Sequence, residues 1–258
     1  MIKVVFFDID GTLLSHKHFG VSASTRESLK KLKDNGIKTV IATGRSLSEL
    51  ERLPVGDIGF DGYICLNGQI NLDENKKIIS CKAINGSDKD KLVHLFEQKN
   101  IVIMLIEQQE MYINFVDKKV EQAQKAISSE IPPVKEYSGN DFYQAVAFIG
   151  SEQEKNLIDL LPSCKITCWN EYAYDIISAD SGKVAGIKDY LVINNISQEE
   201  TMAFGDGEND IEMLDFVEIG VAMGNADEEV KKVADYVTYS VDENGIEHAL
   251  IKYGLINK

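Results

Sequence analysis

Long apolar runs, cysteines and basic residues are all scarce in this sequence. No apolar stretch approaches the roughly 20 residues that a membrane-spanning helix requires. The four cysteines include no C-x-x-C pair, which argues against a disulfide framework in a chain of 258 residues. Lys and Arg total 27 against 42 Asp and Glu, and the formal net charge of -15 would repel nucleic acid and anionic membranes. We therefore expect neither a nucleic-acid partner nor a membrane partner.

The composition is that of a folded globular protein, because 44% of the residues are hydrophobic and 27% are charged. Residues 1–7 lack the apolar region and small-residue cleavage site of a signal peptide, so we expect a cytoplasmic location. The cysteines are interpreted as reduced core or strand residues. The oligomeric state is left open between a monomer and a weak dimer.

The predicted pattern of strands and helices changes twice along the chain. Segments 1–81 and 182–258 alternate short β-rich runs with amphipathic stretches, which is typical of a parallel sheet covered by helices on both faces. Segment 82–181 instead contains two helix-and-hairpin sets. We predict an α/β fold, in which a doubly wound, Rossmann-like parallel-sheet core is interrupted by an inserted α+β domain with an antiparallel sheet.

The first helix is predicted from its end signals. Ser24, with Glu27 three residues later, has the pattern of a capping box. Gly36 follows the apolar face and predicts the C-terminal stop.

Two aspartates follow the first predicted strand, Val-Val-Phe-Phe at residues 4–7. Asp8 and Asp10 are two residues apart, so an extended backbone would place both side chains on one side. Such a pair resists burial unless a cation or hydrogen bonds compensate, and hard oxygen ligands favour Mg²⁺. Taken alone, the pair could also be two unrelated aspartates in a polar loop.

A second acidic cluster follows another short strand at residues 202–204. It reads Gly-Asp-Gly-Glu-Asn-Asp over residues 205–210. The glycines allow a tight turn and close approach to a ligand, and Asp206 could complete a metal site begun by Asp8. The alternative is a helix cap with solvated acids.

Two further segments suggest an anion site. Thr43, Gly44 and Arg45 end a strand and begin a helix, where free N–H groups and the helix dipole favour phosphate. A simple helix cap remains the alternative. Lys183 is placed at a predicted helix start, although cations prefer C-termini, and a nearby phosphate would explain it. An ordinary exposed lysine is the alternative.

The ordered set of these segments resembles the haloacid dehalogenase superfamily. It consists of D-x-D-G-T at residues 8–12, T-G-R at 43–45, Lys183, and G-D-G-x-N-D at 205–210. The long insert between the second and third motifs is similar to the Cof-type sugar-phosphatase branch, in which the insert forms a cap domain. Val184 departs from the pattern, since many relatives have glycine after the lysine.

The resemblance implies a phosphatase that acts on small phosphorylated metabolites through an aspartyl-phosphate intermediate. Asp8 resembles the nucleophile and Asp10 the general acid/base. Mg²⁺ would be held by Asp8, the Asp10 carbonyl oxygen and Asp206, with Asp210 supporting the metal indirectly. Phosphate would contact Ile9, Thr43, Gly44, Arg45, Lys183 and Asn209.

Two other functions remain as alternatives. A phosphomutase of the same superfamily has similar acidic motifs and a similar insert. A receiver-like module would accept phosphate on an aspartate without turnover. A P-type ATPase is excluded, because it has threonine at the position of Asp10 and also has membrane spans. His16 and His18 form an H-x-H pattern without a third ligand and are interpreted as surface or flap residues.

Overall fold

The computed structural model describes residues 1–15, 17–108, 110–127 and 129–257. The chain divides into two compact units. Unit 1 comprises Met1–Ser80 and Lys183–Lys258, and unit 2 comprises Cys81–Gly182. Within the described ranges, no helix is both long and apolar enough to span a bilayer.

The elements are numbered along the chain. The strands are β1 (Val4–Phe7), β2 (Lys38–Ala42), β3 (Gly62–Cys65), β4 (Ile70–Asp73), β5 (Ile78–Cys81), β6 (Val102–Glu107), β7 (Met111–Ile113), β8 (Phe142–Phe148), β9 (Cys164–Asn170), β10 (Ala173–Ser178), β11 (Thr201–Gly205), β12 (Ile219–Ala222) and β13 (Tyr236–Val237). The α-helices are α1 (Ala23–Asp34), α2 (Leu47–Leu50), α3 (Gly86–Gln98), α4 (Lys118–Ala126), α5 (Ser151–Leu160), α6 (Lys183–Asn194), α7 (Ile211–Phe216), α8 (Glu228–Val233) and α9 (Gly245–Lys252).

Unit 1 is built on an eight-stranded sheet with the order β13-β12-β11-β1-β2-β3-β4-β5. The strands from β13 to β3 pair in parallel, while β4 runs antiparallel to β3. Strand β1 lies between β2 and β11, with Phe7 opposite both Ile41 and Phe204. The predicted α/β class, with a parallel-sheet core and an inserted α+β segment, is confirmed.

Strand β1 is buried on both faces, which explains its unbroken apolar sequence. Val4 and Phe6 belong to a core cluster that includes residues of α6, α7 and α8. Successive side chains alternate across the sheet, so Phe7 faces the opposite side, where its ring stacks on that of Phe204 at 5.3 Å. The strand therefore holds the chain rigidly up to Asp8.

The predicted capping box at the start of α1 is wrong. The N-cap is Ser22, whose extended backbone lets its hydroxyl accept from the Thr25 N–H. Ser24 lies inside the helix, and its hydroxyl donates to Glu247 at 2.7 Å. The helix begins earlier than predicted because Ser22 reaches the free N–H groups of the first turn.

Unit 2 contains a five-stranded antiparallel sheet with the order β7-β6-β8-β10-β9. Alternate residues of β6 and β8, such as Ile103 and Ala147, share a core with α3 and α5. Leu92 and Phe96 of α3 and Leu157 of α5 belong to the same core. The hairpin predicted over residues 101–115 corresponds to β6 and β7, which pair antiparallel.

A buried carboxylate at the end of β6 accepts hydrogen bonds from β7 and from the segment that follows it. Glu107 accepts hydrogen bonds from the Tyr112 hydroxyl at 2.7 Å, from the Ser138 hydroxyl, and from Asn140 Nδ2 at 3.0 Å. Burial alone would raise the pKa of Glu107, but these three donors outweigh it, so its pKa is lowered. The charged carboxylate thus stabilises unit 2.

We expect Glu107→Gln to lower the free energy of unfolding of unit 2 by about 1–3 kcal/mol at pH 7, because the new NH₂ group cannot accept from these donors. A lowered pKa contributes stability above the unfolded value of about 4.3, and this contribution disappears as the pH falls through the folded pKa. The difference between wild type and variant should therefore shrink between about pH 5 and pH 3. Urea unfolding at several pH values measures this difference in the free energy of unfolding. The exposed Glu136→Gln is the control, and a pH-independent difference would contradict the assignment.

Candidate active site

The predicted motifs meet at one edge of the unit 1 sheet. Parallel strands β11, β1 and β2 are neighbours, so their carboxyl ends lie side by side. Asp8 directly follows β1, Thr43 follows β2, and Asp206 follows β11. The Asp8 N–H donates to the Phe204 carbonyl at 3.0 Å, which continues the sheet ladder into the site.

Three carboxylates form a compact cluster at this edge. Asp8, Asp206 and Asp210 each offer an oxygen, and these oxygens lie within 4.8 Å of one another. Lys183 Nζ lies 2.6 Å from Asp8 Oδ1 and 2.6 Å from Asp210 Oδ1. The unusual cation at the start of α6 is therefore compensated by two carboxylates.

The cluster carries more negative charge than Lys183 neutralises. Burial, and then the neighbouring carboxylates, raise the pKa of Asp8 well above its usual range, although Lys183 opposes the shift. Burial and the charge of Asp210 raise the pKa of Asp206 to about 7. For Lys183, burial disfavours the charge, but Asp210 and Asp8 outweigh it and the pKa rises. A hard divalent cation fits this set of oxygen donors and would relieve the repulsion.

Hydrogen bonds orient the carboxylates of the cluster. Asp210 Oδ2 accepts the backbone N–H groups of Asp206 and Gly207, both at 3.0 Å. Asp206 Oδ1 accepts from the buried Thr12 hydroxyl at 2.8 Å, and Asp206 Oδ2 accepts from Asn225 Nδ2 at 3.2 Å. The directions of both side chains are therefore set by the loops that carry them.

Gly11 is required by the close approach of two loops. Its φ is +85°, and a Cβ added there would lie 2.0 Å from Asp206 Oδ2. Any other residue would push the Asp206 carboxylate out of place.

Asp10 is held by an arginine. Arg45 Nε donates to Asp10 Oδ2 at 2.6 Å, and Arg45 Nη2 donates to Asp10 Oδ1 at 2.8 Å. This bidentate geometry fixes the plane of the carboxylate. Arg45 Nη1 also lies 3.7 Å from Glu49 Oε1. The phosphate contact predicted for Arg45 stays a prediction, and the structure adds that its guanidinium pairs with Asp10.

The predicted phosphate-binding residues line the same edge. Thr43 is buried, and its hydroxyl accepts from the Arg45 N–H at 3.2 Å, whereas α2 is capped by Ser46. Ile9 is buried, and its carbonyl accepts three backbone N–H groups of the following turn. Asn209 Nδ2 donates to Asn67 Oδ1 at 3.0 Å. The segment after β2 and the segment after β11 thus meet at Asn67.

Asn67 was not identified as a site residue from the sequence. The pair Asn67-Gly68 predicted only the end of a strand. In the structure, Leu66 and Asn67 have left-handed φ values of 50° and 52°. Leucine is rare in this conformation, at a cost of order 1–3 kcal/mol, whereas asparagine tolerates it. This backbone conformation at the end of β3 draws attention to Asn67, and it can be seen only in the structure.

Of the two histidines of the H-x-H pattern, the structure describes His18. His18 is exposed, with Nε2 3.9 Å from Asp242 Oδ1. His16, the other member of the H-x-H pattern, lies outside the described residues.

Valine directly follows Lys183, and the glycine of α6 is Gly186. A Cβ on Gly186 would lie 2.6 Å from both Asn71 Oδ1 and Ile64 Cγ2, and 3.2 Å from Gly68 Cα. Helix α6 therefore approaches the turn after β3 closely despite Val184. This close packing sets the position of Lys183.

Comparisons with known proteins identify the family of this chain. The sequence model of the haloacid dehalogenase-like hydrolases matches residues 5–250. The protein YkrA of Bacillus subtilis (strain 168) is 31% identical, and the match covers 98% of each chain. The structure of BT1666, a phosphatase of this superfamily from Bacteroides thetaiotaomicron, has a TM-score of 0.92 at 36% identity and covers 99% of this chain and 96% of that chain.

A second solved structure is that of BT4131, a sugar phosphatase of subclass IIB of the superfamily. It has a TM-score of 0.89 at 34% identity, covering 98% of this chain and 100% of that chain. The family predicted from the four motifs is confirmed. This chain belongs to the haloacid dehalogenase-like hydrolases, among the phosphatases of that superfamily.

Proposed function

We propose that this protein is a Mg²⁺-dependent phosphatase that hydrolyses small phosphorylated metabolites through an aspartyl-phosphate formed on Asp8. The observation that carries the proposal is the clustering of Asp8 with Asp206 and Asp210 around the Lys183 ammonium. The Asp8 carboxylate is the group that follows the rigid central strand. It is therefore held in a fixed direction, as a nucleophile must be.

The first step transfers the phosphoryl group to Asp8. A carboxylate oxygen of Asp8 bonds to phosphorus as the ester P–O bond breaks, and Asp10 gives its proton to the departing alkoxide. Lys183 neutralises part of the charge that develops on the phosphoryl oxygens. Thr43, Gly44 and Asn209 would hold those oxygens.

The second step releases phosphate. Water attacks phosphorus, Asp10 takes a proton from it, and the bond between the Asp8 oxygen and phosphorus breaks. Uncatalysed hydrolysis of phosphate monoesters is extremely slow, so the site must lower the barrier by on the order of 20 kcal/mol. Both Asp10 oxygens accept from Arg45 in the structure, so one of these hydrogen bonds must open before Asp10 can carry or take up a proton.

Mg²⁺ would be held by Asp8 and Asp206, and through the Asp10 carbonyl oxygen, with Asp210 orienting the set. The ion would supply positive charge to the transferring phosphoryl group. The net negative charge of the cluster supports this assignment.

The substrate class is proposed from the relatives. BT4131 is a sugar phosphatase and 34% identical, so hexose and pentose phosphates are the first candidates. The test is a panel of these compounds, pyridoxal phosphate and flavin-related phosphates, assayed for phosphate release with Mg²⁺. We expect release without any bisphosphate. A bisphosphate requirement would indicate a phosphomutase, and stable phosphorylation without turnover would indicate a receiver-like module.

Mg²⁺ is expected to raise the melting temperature of the protein by filling the acidic cluster. At 100 times the dissociation constant the gain is about 2.7 kcal/mol, which corresponds to a rise of roughly 5–10 °C. Asp206→Asn should remove most of this rise, because it deletes a ligand charge. Calorimetric scans with and without EDTA measure the effect.

The control for this experiment is Asp215→Asn, which neutralises an exposed aspartate on α7. It should leave the rise unchanged. An equal rise in Asp206→Asn and in wild type would show that the metal binds elsewhere.

A further inference from the structure

We propose that Asn67 is a positioning residue of the phosphate site, which acts by holding the amide of Asn209. The inference rests on the proposed function, since that function places Asn209 at the phosphoryl oxygens. Asn67 is 5% exposed, and its Oδ1 accepts from Asn209 Nδ2 at 3.0 Å. An amide nitrogen carries two donors in a fixed plane, so anchoring one N–H sets the direction of the other.

Asn67 also contacts the second phosphate-binding segment. Its backbone N–H donates to the Thr43 carbonyl at 2.9 Å. A Cβ added to Gly44 would lie 3.2 Å from Asn67 Nδ2 and 3.3 Å from Asn67 Oδ1. The absence of a side chain at Gly44 therefore lets the Asn67 amide lie directly over that backbone. One side chain thus links the Thr43–Gly44 segment to Asn209.

The backbone of this turn is suited to the role. Leu66, Asn67 and Gly68 all have positive φ, at 50°, 52° and 86°. Asparagine tolerates this conformation better than other non-glycine residues. The turn is held to the segment after β2, because the Leu66 N–H donates to the Arg45 carbonyl at 3.1 Å. The turn therefore presents the Asn67 side chain at one defined place.

The test removes the side chain without disturbing the backbone. Asn67→Gly keeps a residue that adopts positive φ freely. We expect the inhibition constant of inorganic phosphate to rise about tenfold, the effect of losing one orienting hydrogen bond. The melting temperature and the Mg²⁺ dissociation constant, measured by calorimetry, should stay within experimental error of wild type.

The matched control is Asn195→Gly. Asn195 has the same φ of 52° as Asn67. It lies just after the C-terminal end of α6, at the opposite end of that helix from Lys183. This variant makes the same substitution in the same backbone conformation. It should leave the inhibition constant of phosphate unchanged. An equal rise of this constant in Asn67→Gly and Asn195→Gly would overturn the proposal.

A double-mutant cycle separates positioning from a general structural effect. If Asn67 acts through Asn209, then Asn67→Gly should have little further effect in an Asn209→Ala background. Independent, multiplicative losses would overturn the proposed link.

The two proposals fail in different ways. If wild type releases no phosphate from any compound and does not bind phosphate, the proposed function fails. If wild type is active and phosphate inhibits Asn67→Gly with the same inhibition constant as wild type, the proposed function stands and the proposed role of Asn67 is wrong.

Discussion

Asp8→Asn is expected to abolish phosphate release, with a loss on the order of 10⁵-fold, the scale seen when a covalent nucleophile is removed. An amide oxygen is a far weaker nucleophile than a carboxylate, and the other groups of the site cannot form the aspartyl-phosphate. No phosphoenzyme should be trapped by acid quenching. Two measurements test this: a single-turnover assay with a labelled phosphate ester, and an assay of phosphate release at steady state.

The fold of Asp8→Asn should be intact, which makes the loss interpretable. Lys183 keeps its 2.6 Å contact with Asp210, and one of three mutually repelling carboxylates is neutralised. The melting temperature in EDTA should therefore not fall. Substantial turnover by a well-folded Asp8→Asn protein would show that another group attacks phosphorus.

Asp10→Asn should separate the two steps by their dependence on the leaving group. A sugar alkoxide needs a proton to leave, whereas p-nitrophenolate hardly needs one. Release of sugar should therefore become slow, while the first step with p-nitrophenyl phosphate stays fast. The second step needs a base in both cases. A burst of nitrophenolate approaching one equivalent per site should precede slow turnover.

The control for the burst is Asp8→Asn, which should show neither burst nor turnover. Asp10→Asn should still fold, because Glu49 remains within 3.7 Å of the Arg45 guanidinium. The metal affinity should also persist, since the side-chain cluster is formed by Asp8, Asp206 and Asp210. If no burst and no trapped phosphoenzyme appear in a folded variant that binds Mg²⁺, Asp10 is not the base of the second step.

Local patterns predicted much of the fold. Four consecutive apolar residues before Asp8 indicated a strand buried on both faces, and the structure contains it as β1. The elements that were not predicted include two strands and one helix. β4 pairs antiparallel with β3 beside a parallel arrangement, β13 has two residues, and α9 is the last helix. A two-residue strand is too short for a periodic signal.

End signals were less reliable than apolar patterns. Ser22 and Ser24 are both suitable caps, and only the backbone conformation of Ser22 decides between them. The arginine of the T-G-R motif has a contact that the sequence does not give. Its charge predicts a phosphate contact, and the structure adds that Arg45 Nε donates to Asp10 Oδ2 at 2.6 Å. Such a contact depends on distances that a sequence does not contain.

The sequence by itself determined which chemical groups follow which strands, since Asp8, Thr43 and Asp206 each come directly after a short buried run. Only the tertiary structure decided that these groups meet. β1 and β11 pair with Phe7 opposite Phe204, although they lie far apart along the chain. The same holds for the contact between Asn67 and Asn209, because no local pattern predicts the left-handed turn that carries Asn67. Hydrophobic periodicity is a local property, whereas strand order and side-chain contacts result from the packing of the whole core.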